Sequence, residues 1–440
     1  MRAKYRTIKA VSLEKEKRIM KRKMTGLLAI VLAVMMLCAC GGSGETGNTK
    51  NGGEYLNLWI TTLGEEAEVI EKVTEEQWNV EHPDSKVKVT VVPGNSDDFY
   101  QKLAIAFATK TGPDMFCISN AEMLKYVETG VAYDVTSYLE ANRADYMEGT
   151  LESLTFDGKI MAFPGNMDIM ALYCSKEAFE GAGIDYPKTW EELINATNAL
   201  ANEDRYGIIL QTDLQSGYQV FEFYPFLWMS GGDVLSEDGT QVVIDSDGAA
   251  KAFSFYRDIF GAPGTCKKVE NSNTDITPFA TGRTAMQICG SWAVSWLKAN
   301  YSEMEYAVVP YPAAEQGMPS ASIIGGWQYM VSSKSKNPEA AALYLNWLLN
   351  QGTEIPTEMA TRAAKISPRL SVLENGKEFY SQYPFDMFVN TILPTANREP
   401  VYPTSIVMAV GDALQEAIYT DKPVETILSE TQAKCELLLN

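Results

Sequence analysis

Apolar and polar positions along the chain change their spacing repeatedly, and each change predicts a switch between strand and helix. The segment 55–60 (YLNLWI) alternates apolar and polar side chains, as a half-buried strand does. Residues 65–82 follow with apolar positions at helical spacing, and 86–92 (KVKVTVV) alternates again. A second helical stretch at 99–109 leads to the short apolar run 114–118. This order predicts βαβ units, and hence an α/β fold with a largely parallel sheet.

The same alternation continues along the rest of the chain, without an internal repeat. Further strands are predicted at 159–164, 171–174, 206–210, 284–289 and 305–309. Further helices are predicted at 190–202, 249–260, 340–349, 405–419 and 423–439, and Thr189 is the expected N-cap of the first of these. A chain of 440 residues is too long for one ordinary core, so we expect two lobes.

The N-terminal segment has the pattern of an export signal. A basic cluster at 21–23 (KRK) precedes an apolar run of eleven residues at 27–37. That run is shorter than the roughly 18 residues that span a bilayer, so it suits the core of a signal peptide. It ends in the string LCAC at 37–40, which resembles a bacterial lipobox.

We therefore expect residues 1–39 to be a lipoprotein signal peptide and Cys40 to carry the acyl chains, palmitate among them. Residues 40–53 are rich in Gly, Ser, Thr and Asn and should form a flexible tether. Secretory cleavage without lipidation is the alternative. The stretch 2–19 is long and mixed in charge for a leader, which favours translation from Met20.

Charge and scarce residue types exclude several function classes. The net charge is -20, and the first 39 residues hold ten of the 37 Lys/Arg, so the remainder cannot neutralise a nucleic-acid backbone. His82 is the only histidine, which excludes a Ser-His-Asp triad or a multi-histidine metal site. The five cysteines beyond Cys40 are widely spaced and indicate neither a disulfide framework nor a zinc site. We expect no metal or other cofactor, while catalysis by a carboxylate pair stays open.

Six local strings resemble, in order, the characteristic segments of the family 1 extracellular solute-binding proteins of ABC-type importers, which include maltose-binding protein. They are TGPDMF (111–116), ETGVAYDVTSYL (128–139), FDGKIMAFP (156–164), PKTWEEL (187–193), FATGRTAMQICGSWAVSWL (279–297) and GGWQYMVSSKSKNPEAA (325–341). Each is a modest match alone, but together they span most of residues 55–435. The chain departs from the family pattern at Met161, where a tyrosine is usual, and at 174–176 (CSK), where Tyr-Asn-Lys is common.

The resemblance implies a two-lobe fold of the type II periplasmic-binding-protein kind, with discontinuous domains and a ligand cleft between the lobes. Carried onto this sequence, the N-terminal lobe takes 54–166 plus 310–350, and the C-terminal lobe takes 167–309 plus 351–440. The chain would then cross between the lobes near 166–169, 309–311 and 349–352. Ligand binding is expected to close the lobes by a hinge motion.

A sugar ring offers apolar C–H faces to aromatic side chains and hydroxyls to carboxylates and amides. By the resemblance, Trp292 is a cleft aromatic and Asp168 a ligand-bonding carboxylate. The alternatives are a core tryptophan and a surface carboxylate. Trp327 follows two glycines, which would let a ligand approach the backbone, or it belongs to the core.

Strand ends supply further candidates, because open α/β sheets bind ligands at the carboxyl edge of their strands. These candidates are Thr61, Thr62 and Leu63 after the first strand, and Ser119 and Asn120 after the third. Candidates from the second lobe are Tyr224 and Trp228, with a buried aromatic cluster as the alternative, together with Arg369 and Tyr402. The tryptophans at helical spacing among apolar residues are assigned to the core: Trp78, Trp190, Trp296 and Trp347.

The predicted function is capture of a sugar or oligosaccharide at the outer face of the cell membrane, with delivery to the membrane permease subunits of an ABC-type importer. The protein would be a lipid-anchored monomer and not an enzyme. One alternative is a binding protein for a polyamine, a peptide or a phospho-ester, since an acidic protein can take a cation. Another is an exported carbohydrate-active enzyme that uses an Asp/Glu pair.

Replacement of the predicted lipidation site tests the anchoring. Cys40→Ala should leave uncleaved precursor or shed protein into the medium, because the residue that takes the lipid is gone. Fractionation of cells and mass analysis of the mature N-terminus measure both outcomes. Normal processing and membrane retention of the variant would contradict the lipoprotein assignment.

Overall fold

The computed structural model describes residues 55–61, 64–94, 96–213, 217–268, 270 and 272–439. The predicted signal peptide, Cys40 and the tether lie outside these ranges. Within them, no helix combines the length and the apolar composition needed to cross a bilayer. The cysteines of the described part are buried and unpaired: Cys117, Cys174, Cys266, Cys289 and Cys435.

Strands are spread over the whole of the described chain. They are β1 Leu56–Ile60, β2 Val87–Val91, β3 Met115–Ser119, β4 Thr155–Phe156, β5 Lys159–Ile160, β6 Phe163–Pro164, β7 Asp168–Ser175, β8 Tyr206–Ile209, β9 Thr284–Gly290, β10 Tyr306–Val309, β11 Ser322–Gly325, β12 Trp327–Val331 and β13 Ala396–Arg398.

Helices connect most of these strands and make up the C-terminal part. They are α1 Glu65–Val73, α2 Asn79–Glu81, α3 Ser96–Ala108, α4 Asn120–Glu128, α5 Thr136–Leu139, α6 Lys176–Ala182, α7 Trp190–Leu200, α8 Tyr218–Met229, α9 Asp247–Gly261, α10 Thr277–Ala280, α11 Ala293–Asn300, α12 Pro338–Leu349, α13 Glu354–Arg362, α14 Leu370–Asn375, α15 Lys377–Tyr380, α16 Phe385–Met387, α17 Thr404–Tyr419 and α18 Val424–Leu439. The π-helical turn Thr74–Trp78 joins α1 to α2.

The first lobe is built on a five-stranded sheet with the strand order β2-β1-β3-β12-β6. In this sheet β1 is parallel to β2 and β3, whereas β12 runs antiparallel to β3 and β6. Four successive side chains of β3 are buried, as in a central strand covered on both faces. The parallel strands β1 and β3 therefore end at the same edge of the sheet.

The second lobe is built on a mixed sheet with the order β13-β11-β7-β9-β8, in which β10 also pairs with β7. The central strand β7 is antiparallel to β9 on one side and to β10 and β11 on the other. The predicted parallel arrangement thus holds for β1 to β3 but not around β7. Hydrophobic spacing predicts that a strand exists and which face is buried, but it carries no information about strand direction.

Within the described residues, the chain passes between the two sheets at three places, which we call the crossing segments. The first, 165–167, lies between β6 and β7, and the second is Gly326, between β11 and β12. The structure moves the second crossing away from the predicted 309–311, because β11 pairs with β7 and β13 in the second sheet.

The third crossing segment is 363–366, which is later than the predicted 349–352. Helix α13 still packs on α1 of the first lobe, and its Arg362 forms ion pairs with Glu65 and Glu68. Ile366 then pairs with Met167 of the first crossing segment and joins a core cluster of the second lobe. The sequence predicts this crossing too early, because the apolar pattern of residues 350–362 does not show which lobe helix α13 packs on.

Backbone hydrogen bonds tie the first two crossing segments together. The N–H groups of Gly165 and Asn166 donate to the carbonyl of Trp327 at 3.1 and 3.0 Å. In return, the Trp327 N–H donates to Asn166 Oδ1 at 3.2 Å. Gly326 has a φ of +128°, and a Cβ at this position would lie 2.2 Å from the Asn166 carbonyl oxygen. Only glycine permits this approach.

Substitution of this glycine should therefore be costly. Gly326→Ala combines a disfavoured φ with a backbone clash and should lower the free energy of unfolding by at least about 2 kcal/mol. Urea unfolding followed by circular dichroism measures the change. Gly181→Ala is the matched control, because Gly181 lies within α6 with no atom within 4 Å of an added Cβ. That variant should gain about 0.5–1 kcal/mol, and equal midpoints for the two variants would contradict the close approach.

Candidate functional site

A cavity of about 640 Å³ lies between the two lobes. Its first-lobe wall includes Thr61, which follows β1, and Ser119, the last residue of β3. This is the strand edge at which open α/β sheets bind ligands. Its second-lobe wall is formed by the start of β7, the end of β9 and the helix α11. A concave site of this size suits a small molecule that is largely enclosed.

The first-lobe wall carries an aromatic group built around Trp327. Trp327 is half-buried, and its ring lies 6.1 Å from that of Tyr100 and edge-on to Phe99 at 6.4 Å. The Tyr100 hydroxyl donates to Ser119 Oγ at 2.8 Å, and burial raises the pKa of this phenol. Trp327 and Ser119 are register partners on β12 and β3, which places both at the cavity edge.

The second-lobe wall presents Trp292 at the N-terminus of α11. A Cβ on Gly290 would lie 2.6 Å from the Trp292 ring, so the missing side chain lets the indole lie against the end of β9. Tyr218 and Phe221 from the first turn of α8 line the same cavity. Aromatic side chains therefore stand on both walls.

Asp168 is held by three donors of the protein itself. Its Oδ1 accepts from Ser291 Oγ at 3.2 Å and from the Trp292 N–H at 3.1 Å. Its Oδ2 accepts from Lys365 Nζ at 2.7 Å, and the two side chains are only 14% and 10% exposed. The carboxylate expected to bind ligand thus positions the start of α11 and pairs with a lysine of the third crossing segment.

Glu66 is a buried carboxyl next to the crossing segments. It accepts from Asn166 Nδ2 at 2.7 Å and from the Tyr329 hydroxyl at 3.2 Å. Burial raises its pKa from the ordinary value of 4.5 to about 7, and the positive charge of Lys365 opposes the rise. A titratable group therefore lies among segments that join the lobes.

Two side chains of the second lobe reach across the cavity to the first lobe. The Glu399 carboxylate accepts from the backbone N–H of Ala121 in the first turn of α4, while burial raises its pKa to about 8. The Tyr218 hydroxyl bonds to Ser96, and burial raises its pKa. The lobes therefore meet in this structure over the cavity that they enclose.

Five of the predicted site residues line the cavity: Thr61, Ser119, Asp168, Trp292 and Trp327. Thr62 and Leu63 lie outside the described residues. Asn120 is 2% exposed and is not among the lining residues, although its neighbour Ala121 is.

The remaining predictions fall away from the cavity. Tyr224 is buried with Phe223 and Phe226 in a core cluster, as the alternative expected, whereas Phe221 lines the cavity. Tyr224 also stacks on Trp228 at 5.3 Å and packs edge-on against Tyr402, and these two rings are half-buried. The Tyr402 hydroxyl donates to Asp233, which fixes the edge of that cluster. Arg369 is 6% exposed, and its Nε lies 2.7 Å from Asp145 Oδ2, so its charge is paired within the fold. Long-range pairing of this kind leaves no local sequence signal.

Sequence reasoning missed several lining residues, including Tyr100, Tyr218, Lys365 and Glu399. It also assigned Trp296 to the core, whereas the side chain is half-buried and lines the cavity. One signal was present, because Trp296 lies four residues after Trp292 and therefore on the same helix face. The assignment of Trp78 and Trp190 to the core is confirmed, at 3% and 5% exposure.

Known proteins resemble this chain both in sequence and in fold. Residues 62–355 match the sequence model of the family "Bacterial extracellular solute-binding protein". The diacetylchitobiose binding protein DasA of Streptomyces coelicolor is 25% identical over 356 residues, which cover 76% of this chain and 80% of that protein.

Solved structures share the fold. A solute-binding protein of an ABC transporter from Thermotoga lettingae, bound with alpha-D-tagatose, superposes with a TM-score of 0.76 at 21% identity and covers 88% of this chain and 100% of its own. UgpB from Mycobacterium tuberculosis, in complex with glycerophosphocholine, gives a TM-score of 0.75 at 17% identity, with 88% and 99% covered.

The raised pKa of Glu66 predicts a pH dependence of stability. Between its ordinary value of 4.5 and about 7, the folded protein holds a proton on Glu66 that the unfolded chain has released. The free energy of unfolding should therefore fall as pH rises through this window, by at most about 1.4 kcal/mol per pH unit for one proton. Glu66→Gln removes the titration, so the stability of the wild type relative to this variant should fall from pH 4.5 to 7.

Urea unfolding at closely spaced pH values measures this difference. Tyr329→Phe is the directional control, since it removes a donor that favours the ionised carboxylate and should move the fall to higher pH. Parallel pH curves for the wild type and Glu66→Gln would contradict the shift.

Proposed function

This chain belongs to the family of bacterial extracellular solute-binding proteins, and we propose that it captures a sugar or oligosaccharide outside the cell. It then delivers the sugar to the membrane permease subunits of an ABC-type importer. The observation that carries this proposal is the cavity between the lobes, which has aromatic side chains on both walls. Flat rings on facing walls suit the two C–H faces of a sugar ring.

Polar atoms of the cavity suit sugar hydroxyls. The side chain of Asn273 is 5% exposed and donates through Nδ2 to the Tyr218 carbonyl at 2.9 Å. Its Oδ1 is buried and accepts no hydrogen bond from the described residues, although the residue lines the cavity. A buried acceptor without a donor is costly, and rotation of this side chain towards the cavity would let it accept from a ligand hydroxyl.

The charge of the cavity favours a neutral ligand or a cation over an anion. Arg362 is paired with Glu65 and Glu68, and Lys365 is paired with Asp168, so both cations are already neutralised. The described acidic residues that line the cavity are Glu65, Asp97, Glu122, Asp168 and Glu399, and the basic ones are Arg362 and Lys365. The raised pKa of about 8 keeps Glu399 mostly protonated at neutral pH, so the other four carboxylates supply the negative charge. A phospho-ester would meet this acidic excess without a free cation to bind it, whereas a polyamine is the second candidate that the excess favours.

We place the mature protein at the outer face of the cell membrane, held by a lipid on Cys40 and acting as a monomer. The lipobox-like string and the tether support this placement, because they follow a leader too short to span the bilayer. Binding proceeds without covalent chemistry. The two lobes close on the ligand through the crossing segments, and the contacts of Glu399 and Tyr218 across the cavity support a closed form of this kind.

A ligand panel and one variant test the proposal together. Among tagatose, maltose, N,N′-diacetylchitobiose, spermidine and glycerophosphocholine, a sugar should stabilise the protein, by about 2.7 kcal/mol at a hundredfold excess over Kd. Trp292→Ala should then weaken binding of that sugar by about 2 kcal/mol, or roughly 30-fold in Kd, because it removes a stacking face. The ligand-free variant should lose little stability, since Trp292 is half-buried at the cavity.

Trp190→Ala is the matched control for a tryptophan of the core. Trp190 is 5% exposed and stacks on Phe255 at 4.4 Å, so its loss should cost about 3–5 kcal/mol of folding. Titration calorimetry and urea unfolding on both variants separate the two effects. Stabilisation by spermidine alone would favour the polyamine, and a Trp292→Ala protein with unchanged affinity would place the sugar elsewhere.

A further inference from the structure

One face of helix α11 runs along the cavity. The side chains that it presents there are Trp292, Ser295, Trp296, Ala299 and Asn300. Their spacing of three and four residues is that of a single helix face, so the cavity follows the helix over two turns.

The exposure of the side chains on this face increases with distance from the crossing segments. Trp292, Ser295 and Trp296 are half-buried, whereas Ala299 and Asn300 are exposed. The buried end is the one at which Asp168 binds the Trp292 N–H. The cavity therefore has a closed inner end beside Trp292 and an open mouth beside Asn300.

Trp292 and Trp296 stand one turn apart on this face. Four residues of helix rise about 6 Å. A hexose ring linked through opposite carbons spans a few bonds of about 1.5 Å, or roughly 5 Å after projection. The two indoles are therefore spaced for two consecutive sugar units.

The outer indole is supported from behind. Its ring stacks on Tyr301, with centroids 5.6 Å apart and planes inclined by 27°, and it packs against a core cluster of the second lobe. One part of the ring is thereby fixed while another part lines the cavity. A rigid, half-exposed aromatic side chain is a low-entropy contact surface.

The volume of the cavity agrees with more than one sugar unit. If each of the six carbons of a hexose, with its hydroxyl, takes about the 30 Å³ of a water molecule, the unit occupies roughly 180 Å³. The cavity of about 640 Å³ then holds about three units.

On the premise of sugar capture, we propose that the ligand is an oligosaccharide of two or more units, and that Trp296 forms a second subsite. Trp292 stacks on the inner unit and Trp296 on the next unit towards the mouth. Chain length is then selected along α11, because a monosaccharide at the inner end leaves Trp296 without a partner.

Two series of sugars of increasing length test the subsite. N-acetylglucosamine, N,N′-diacetylchitobiose and triacetylchitotriose form one series, and glucose, maltose and maltotriose form the other. Wild-type protein should bind the disaccharide of one series at least about tenfold more tightly than its monosaccharide, the effect of one stacking contact. Trp296→Ala should abolish this gain and leave the monosaccharide affinity unchanged, whereas Trp292→Ala should weaken both. Trp296→Phe, which keeps a flat ring, should retain most of the gain.

Trp347→Ala is the matched control, because Trp347 is a half-buried tryptophan that packs near Trp78 in the first lobe and does not line the cavity. It should leave the ratio of disaccharide to monosaccharide affinity as in the wild type. Equal losses for both sugars in Trp296→Ala, or a wild type that binds both equally, would overturn the second subsite while sugar binding itself stands. A wild type that binds no member of either series in calorimetry but binds spermidine would overturn sugar capture, and the subsite with it.

Discussion

Lys365 and Asp168 meet where the third crossing segment passes the start of β7, with 2.7 Å between Nζ and Oδ2. Both side chains are almost wholly buried, so each charge needs the other. The same carboxylate receives the N–H of Trp292, which begins helix α11, and so the pair decides where that helix stands. Trp292 of the second-lobe wall is placed through this contact, and the carboxyl group of Glu66 interacts with both of its charges.

The sequence predicts most of the elements because their patterns are local. The Thr189 hydroxyl accepts from the Glu192 N–H at the start of α7, which confirms the predicted cap. Helix α8 is not predicted from the sequence, because it is buried on almost every face and contains Pro225. Neither its hydrophobic periodicity nor its helix propensity therefore indicates a helix. The strand directions around β7 and the position of the third crossing segment are not predicted either, since both depend on contacts between distant parts of the chain.

Prediction of the site follows the same division. Trp292 and Trp327 were found through motifs, and Thr61 and Ser119 through the rule for strand ends. Lys365 could not be identified as a site residue, because its role depends on the ion pair with Asp168, which lies nearly 200 residues earlier in the chain. The partners of buried charges are set by the tertiary structure, and a single sequence does not record them.

The ring of Trp327 lines the cavity, whereas its backbone lies beside the crossing segments. Its carbonyl accepts from the N–H groups of Gly165 and Asn166 in the first crossing segment, while strand β12 and the rings of Tyr100 and Phe99 hold the residue in the first lobe. A ligand that shifts this ring would therefore also shift the backbone at which the two lobes are joined, and a change in the angle between the lobes would move the ring in turn. A permease that touches only the outer surfaces of both lobes would thus sense, through their relative angle, whether one indole is occupied.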